Sequence, residues 1–211
     1  MKNEPLWLTT ARELQMIGQA GLVYCKDEYD RDRFRRILVM SAAMFAQRSG
    51  EPKKKVERVF LGENGYLTPK IDVRGAVFKD NKILLVREIA DEGKWTLPGG
   101  WADINHTPSE NVEKEILEET GLVARATKVA AVYDRTKQGH LPEQLYTYKI
   151  FFICDITSGS LQTSFETGES RFFVKKEIPQ EAELSVRRVR RSQILRMFEH
   201  FRNPGLATDF D

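Results

Sequence analysis

Between Thr107 and Gly121 the chain writes out both ends of one helix and loads one face of it with negative charge. Thr107 suits an N-cap, Pro108 the first turn, Glu110 the reciprocal partner of a capping box, and Gly121 the C-terminal stop. A helix is therefore predicted over Pro108–Thr120. At about 100° per residue, Glu115, Glu118 and Glu119 fall within an arc of roughly 100°, while Glu113 and Leu117 point elsewhere. Like charges at three- and four-residue spacing repel by roughly 0.2–0.5 kcal/mol per solvated pair, and more when partly buried. Two readings follow from the helix alone. It is either a solvated acidic face or a platform for hard divalent cations, which take oxygen ligands and leave room for phosphate oxygens.

The residues before the helix favour the platform. Leu97-Pro98-Gly99-Gly100-Trp101 places two glycines just ahead of the loop that feeds it. From Gly100 to Leu122 the chain resembles the Nudix box, with Gly100, Glu115, Ile116, Glu118, Glu119, Gly121 and Leu122 at the family's spacing. Two positions depart from the pattern: His106 stands where the family's first Glu is expected, and Lys114 where its Arg is expected. Lys keeps the charge but lacks the planar fork that grips a carboxylate through two bonds. A lone His without clustered partners reads as a surface or structural residue, not a metal ligand.

Hydrophobic periodicity organises the rest. Leu6, Leu8, Ala11, Leu14 and Ile17 predict a first helix ending near Gly18 and Gly21. A second amphipathic helix is predicted from Asp27 to Arg48, closing at Ser49-Gly50, with Glu51–Lys55 as an exposed joint. Beyond it the period shifts toward two. Strands are expected at Val59–Leu61, Ile71–Phe78, Lys82–Val86, Thr127–Tyr133, Leu145–Ile153 and Arg171–Val174, and a final helix at Arg187–Phe201. Strands with segregated helices imply an α+β class. The resemblance sharpens this to a Nudix α/β/α sandwich with a mixed sheet over residues 67–211, preceded by a small helical domain, 1–66, for dimerisation or as a substrate lid.

Composition bounds the partners. With 33 basic and 31 acidic residues the net charge is +2, too balanced to name nucleic acid or an anionic membrane as the obligatory partner. The basic run Arg187-Arg188-Val189-Arg190-Arg191 is interleaved with apolar residues and fits the outer face of an amphipathic helix. Cys25 and Cys154, without CxxC spacing, read as buried small hydrophobes. No apolar run is long enough to cross a membrane and the N-terminus lacks a signal-peptide layout, so a cytoplasmic protein is expected.

The resemblance also implies roles. The variant box after GGWAD is similar to a bacterial Nudix group that includes CDP-choline and ADP-ribose pyrophosphatases. Such an enzyme cleaves a small nucleoside diphosphate derivative with Mg²⁺ or Mn²⁺, as a homodimer. Its metal ligands would be Glu115, Glu118, Glu119 and the Gly100 carbonyl, with Glu118 and Glu119 also catalytic. Glu119 is alternatively the general base, a role that Glu166 or Glu169 in the loop Ser164–Ser170 would otherwise take. That loop also reads as an ordinary polar turn. Arg74 and Arg87 on adjacent strands are candidate phosphate contacts or outward solvated arginines. Trp101, Asp103 and Lys137 complete the substrate-binding candidates. A nucleoside triphosphate pyrophosphohydrolase differs from this only in substrate, and a non-catalytic nucleotide-sugar-sensing regulator would use the same fold without turnover.

Overall fold

A computed structural model describes residues 4–62, 65–164 and 167–211. The chain divides into two units: one is the segment up to Pro69 together with Pro142–Tyr146, the other Lys70–Leu141 and Thr147–Asp211.

In the first unit α1 (Leu6–Tyr24) and α2 (Glu28–Ser49) pack along one another, followed by α3 (Lys53–Gly62). Asp27 caps α2 by accepting from the Asp30 N–H at 2.9 Å, and Gly50 closes it in the left-handed conformation. Contrary to the sequence expectation, α1 runs straight through Gly18 and Gly21. A side chain at Gly18 would place Cβ 2.7 Å from Leu38 Cγ, and one at Gly21 would overlap the Phe34 ring. These glycines are the surface on which α2 lies, not a stop, and the close approach compensates their helix cost of roughly 0.5–1 kcal/mol each. The expected joint at Glu51–Lys55 and strand at Val59–Leu61 are also corrected. They form α3, because the buried pair Val56 and Phe60 lies one helical turn apart while Val59 and Leu61 face solvent. Phe60 stacks tilted on Phe45 at 5.9 Å, within a core of Leu8, Ala11, Ala42 and Ala46. Arg12, on α1, pairs with Glu4 at 2.8 Å, donates to the Glu143 carbonyl at 2.5 Å and lies over the Tyr146 ring. The Pro142–Tyr146 segment is thereby held by helical residues. Cys25 is half-buried, not a core residue as expected, while Cys154 is buried; both are free thiols.

The second unit is built on a mixed sheet in the order β3-β2-β1-β5-β4-β7, with β6 on the other side of β2. Its strands are β1 (Lys70–Lys79), β2 (Lys82–Glu88), β3 (Lys94–Thr96), β4 (Leu122–Asp134), β5 (Thr147–Gly159), β6 (Thr167–Val174) and β7 (Asp209–Phe210). The Asp80-Asn81 turn, with φ of 50° and 58°, joins β1 to β2 as a tight hairpin. Parallel pairing of β1 with β5 puts Asp72 opposite Lys149 and Arg74 opposite Phe151. Past the hairpin β1 leaves β2, and the freed edge is taken by the double-glycine loop: Val73 N–H donates to Gly100 O (2.9 Å), Gly75 N–H to Pro98 O (2.8 Å) and Ala102 N–H to Ile71 O (2.9 Å).

Alternation sends Val73, Val77, Leu84, Phe152 and Cys154 to one face, against Val112 and Ile116 of α4 (Pro108–Thr120). Ala76, Phe78, Ile83, Leu85, Phe151 and Ile153 line the other face, against Ile194, Met197 and Phe198 of α5 (Arg191–Arg202). The unit is the expected α/β/α sandwich, and α4 is seated by apolar burial; truncating Ile116 to Ala would cost about 2–5 kcal/mol. The final helix starts at Arg191, not Arg187. Arg188 turns to Glu88 at 3.1 Å and Arg190 to Glu181 at 3.4 Å, so the basic run is a turn held by ion pairs around the buried Val189. The short strands β3 and β7 escape a periodicity reading because two or three residues define no period. β7 is fixed through Asp209, which accepts from Arg196 Nε and Nη2 at 2.6 and 2.7 Å and from Tyr133 Oη at 3.0 Å. Among the described residues no helix is long and apolar enough to cross a membrane.

Candidate active site

The acidic helix forms where expected. Thr107 and Glu110 complete the capping box, with Glu110 Oε2 accepting from Thr107 N–H at 2.7 Å, and Gly121 ends the helix in the left-handed region. Asn111 ties the helix to the loop before it, accepting from Asp103 N–H at 2.8 Å and donating to Asp103 O at 3.1 Å. The double glycine brings this loop against the carboxylates. Gly99 has a φ of 137°, and a Cβ there would overlap the Val73 carbonyl oxygen, so only glycine fits. Its N–H donates to Glu119 Oε2 at 3.1 Å. Gly100 lies against Glu115: a Cβ on it would stand 2.9 Å from Glu115 Oε2.

Sharing an arc does not make the three carboxylates alike. Glu119 is 5% exposed, and burial pushes its carboxyl up to about 8, a rise that Arg74 and the Gly99 N–H oppose while Glu115 and Glu88 add to it. Glu118 faces solvent and pairs with Lys114 at 3.2 Å; Lys114 also reaches Asp103 at 3.1 Å, and these two carboxylates raise its pKa. Exposed pairs of this kind contribute about 0–1 kcal/mol, so Lys114 holds Glu118 only loosely. Glu113, as expected, points away and accepts from Ala126 N–H at 2.8 Å. Among the described residues no three His, Cys, Asp or Glu side chains are gathered into a ready-made metal cage. The donor chemistry nevertheless fits a hard cation, since carboxylates and a carbonyl are all oxygen ligands and Glu115 already abuts Gly100.

Beside this platform lies a buried charge cluster. Arg74, 3% exposed, is not an outward arginine: its Nε and Nη2 donate to the two Asp72 oxygens at 2.9 and 2.7 Å, and its Nη1 to Leu97 O at 3.2 Å. Lys149 Nζ donates to Asp72 Oδ1 at 2.5 Å. Burial raises the Asp72 pKa, but Arg74 and Lys149 outweigh it and hold the carboxyl well below its usual range. Burial lowers Lys149 to about 8 against the pull of Asp72, with Arg74 adding to the fall. For Arg74 burial is likewise the largest influence, overcome by Asp72 and then by Glu119 and Glu115, so its guanidinium feels both platform carboxylates.

The remaining candidates scatter. Arg87 is exposed and pairs with Glu169 at 3.2 Å while lying over the Trp95 ring at 4.6 Å, so the structure joins two candidates that the sequence treated separately. Trp101 is 51% exposed beside its bridge to Asp72. Asp103 belongs to the Lys114 pair, and Lys137 is exposed on a short turn capped by Asp134. His106 is exposed; its ring lies 3.3 Å from Ile104 O and its carbonyl accepts from Asn111 Nδ2 at 3.4 Å. Glu166 lies outside the described residues. Sequence reasoning missed Asp72, Lys149 and the buried Glu88. The signal was present for the first two: charges that interrupt apolar alternation on the core face of two strands.

Comparison with known proteins agrees with this geometry. Residues 69–193 match the NUDIX domain family, and residues 5–60 match a family described as a UDP-X-like, N-terminal oligomerisation domain. The chain is 42% identical to the protein YjhB of Bacillus subtilis (strain 168) over 211 residues, 100% of both. A crystal structure of an ADP-ribose pyrophosphatase from Streptococcus suis 89-1591 shares 36% identity, covering 68% of this chain and 100% of its own, with a TM-score of 0.61. A crystal structure of UDP-X diphosphatase shares 30% identity over 97% of this chain and 98% of its own, also with a TM-score of 0.61.

Proposed function

The chain belongs to the Nudix family and is a pyrophosphohydrolase of nucleoside diphosphate derivatives, and from that premise we propose a metal-dependent cleavage of ADP-ribose or a similarly built compound. The products are a nucleoside monophosphate and a phosphorylated remainder. The observation that carries this reading is the meeting of Glu119 and Glu115 with the Gly99-Gly100 backbone, next to the Arg74 guanidinium. Glu115, Glu118, Glu119 and the Gly100 carbonyl would hold Mg²⁺ or Mn²⁺, which supplies charge neutralisation at the pyrophosphate and acidifies water. Arg74 binds phosphate oxygens, with the N–H groups that Asp72 and Leu97 leave over. Trp101, Asp103, Arg87 and Lys137 would make further substrate contacts. Glu119, or else Glu166 or Glu169, is the proton acceptor, and Glu169 pairs with Arg87 at 3.2 Å.

The first unit we assign to homodimer formation, an assignment supported by the family match of residues 5–60 and by the exposed Leu6, Tyr24, Tyr29 and Met40. A non-catalytic regulator is disfavoured, since residues 69–193 match the NUDIX domain and the Streptococcus suis relative is an ADP-ribose pyrophosphatase. The deciding experiment is turnover of ADP-ribose, a UDP-sugar, CDP-choline and a nucleoside triphosphate with Mg²⁺ or Mn²⁺, with products identified by mass. Release of a nucleoside monophosphate from a diphosphate derivative is expected. Turnover of the triphosphate alone, or of no compound, overturns the proposal.

A further inference from the structure

The buried cluster next to the platform has an arithmetic that the family match does not explain. Asp72, Arg74 and Lys149 are 6%, 3% and 1% exposed, and one carboxylate is shared between two cations. Arg74 with Asp72 alone would be a neutral pair, its charge cancelled by bonds to both carboxylate oxygens. Lys149 is what leaves these three residues with a net charge of one, to which the buried Arg135 adds from the Lys149 side and which Glu119 and Glu115 oppose from the Arg74 side. It sits where it does because β1 and β5 pair in parallel with Asp72 opposite Lys149, and residue 74 follows 72 on the same face. The arginine end of the cluster reaches the loop carbonyl of Leu97, two residues before the glycine that binds Glu119.

A buried lysine of this kind is costly. Desolvating a cation takes several kcal/mol before its partner offsets the loss, and a well-packed apolar residue is often at least as stabilising. Fold stability therefore gives no reason for Lys149. Its place on Asp72 does: in a low-dielectric interior an added unit charge is weakly screened, and the Arg74 fork, which feels Glu119 and Glu115, is fixed by Asp72 and Leu97 with N–H groups remaining. We propose that Lys149 is a positioning residue that acts through Asp72, releasing Arg74 from neutralisation so that the cluster presents one net positive charge to the substrate's pyrophosphate. Lys149 itself touches no substrate. This rests on the proposed role of Arg74 and adds residues the Nudix box does not contain.

The test uses charge balance in the full-length protein. Lys149→Met leaves the Asp72–Arg74 pair neutral, whereas Asp72→Asn with Lys149→Met restores a net charge of one and keeps an amide oxygen for Arg74. Binding of inorganic pyrophosphate is measured by calorimetry without metal, alongside KM and kcat for ADP-ribose with Mg²⁺ and the melting temperature of each protein. For Lys149→Met we expect pyrophosphate affinity to fall on the order of tenfold and KM to rise with it, without a lower melting temperature. The double variant should return to within about threefold of wild type. Equal affinity in wild type and Lys149→Met overturns the proposal, as does a loss that the double variant fails to recover or a wild type that does not bind pyrophosphate. Because pyrophosphate carries no nucleoside, a wrong choice of substrate shows as absent ADP-ribose turnover with the binding pattern intact.

Discussion

The two units differ in how much charge they bury, although both leave large apolar side chains exposed, Leu6 and Tyr29 in one and Ile104 and Phe210 in the other. In the sheet unit charge goes inside: Asp72, Arg74, Glu88, Glu119 and Lys149 are all nearly buried. In the helical unit the core is small and mostly apolar, Leu8, Ala11, Ala42, Phe45, Val56 and Phe60, with Arg12 as its buried charge, while Leu6, Tyr24 and Tyr29 stand at 81%, 71% and 80% exposure. Interior charge costs stability and is retained where chemistry needs a fixed field, whereas exposed apolar area is retained where another surface covers it. On the proposed reading, one unit acts on a ligand and the other, which matches an oligomerisation family, is covered by a second copy.

The largest expected effect breaks the first half of that contrast. Glu119→Gln should lower kcat on the order of a thousandfold with KM for ADP-ribose changed little, measured by product formation in Mg²⁺. Wild-type kcat would remove Glu119 from the site. Next in size, Gly21→Ala drives a methyl group into the Phe34 ring and should destabilise the helical unit by about 1–3 kcal/mol by denaturant unfolding, lowering the fraction of the proposed homodimer in sedimentation. If pyrophosphatase activity per mole of folded protein fell as far as with Glu119→Gln, the division of labour would be wrong.

A third measurement is the pH dependence of melting without metal. Burial raises Glu119 from the ordinary 4.5 to about 8, so the folded state keeps its proton while the unfolded chain loses it. Stability from this group is therefore full below pH 4.5 and lost progressively up to about pH 8. The melting temperature of Glu119→Gln relative to wild type should rise across that window, by on the order of 10 °C. A flat difference would mean that the carboxyl is not desolvated. The smallest effect is expected of Lys114→Arg, which adds a planar fork to an exposed pair with Glu118 and should change kcat by less than about threefold.

The sequence made the catalytic scaffold legible where a local rule decided the outcome. Thr107, Pro108, Glu110 and Gly121 fix the acidic helix from within fifteen consecutive residues, and alternation located most strands. It misled where tertiary contact decided. Gly18 and Gly21 look like stops until Phe34 and Leu38 are known to lie on them, and Val59–Leu61 looks like a strand until Val56 and Phe60 are seen to share one buried side. Helical geometry put three glutamates on one arc but could not say that Glu119 would be buried and Glu118 solvated, which depends on how α4 lies against the loop. The Asp72–Lys149 pair spans 77 positions and exists only through strand register, so no local reading could join its members.

The segment Pro142–Tyr146, gripped by Arg12, has a consequence for modularity. The chain passes from one unit to the other at residue 69, crosses back at 141 and returns at 146, so the two are joined by three covalent crossings. A protease cut near residue 69 severs the covalent link to the helices but leaves them holding Glu143 and Tyr146 of the other fragment through Arg12, and a gene truncated there keeps five residues shaped for an absent neighbour. What looks in the sequence like a prefix is, as a heritable part, interleaved: removing it requires redesign at a second place more than seventy residues downstream.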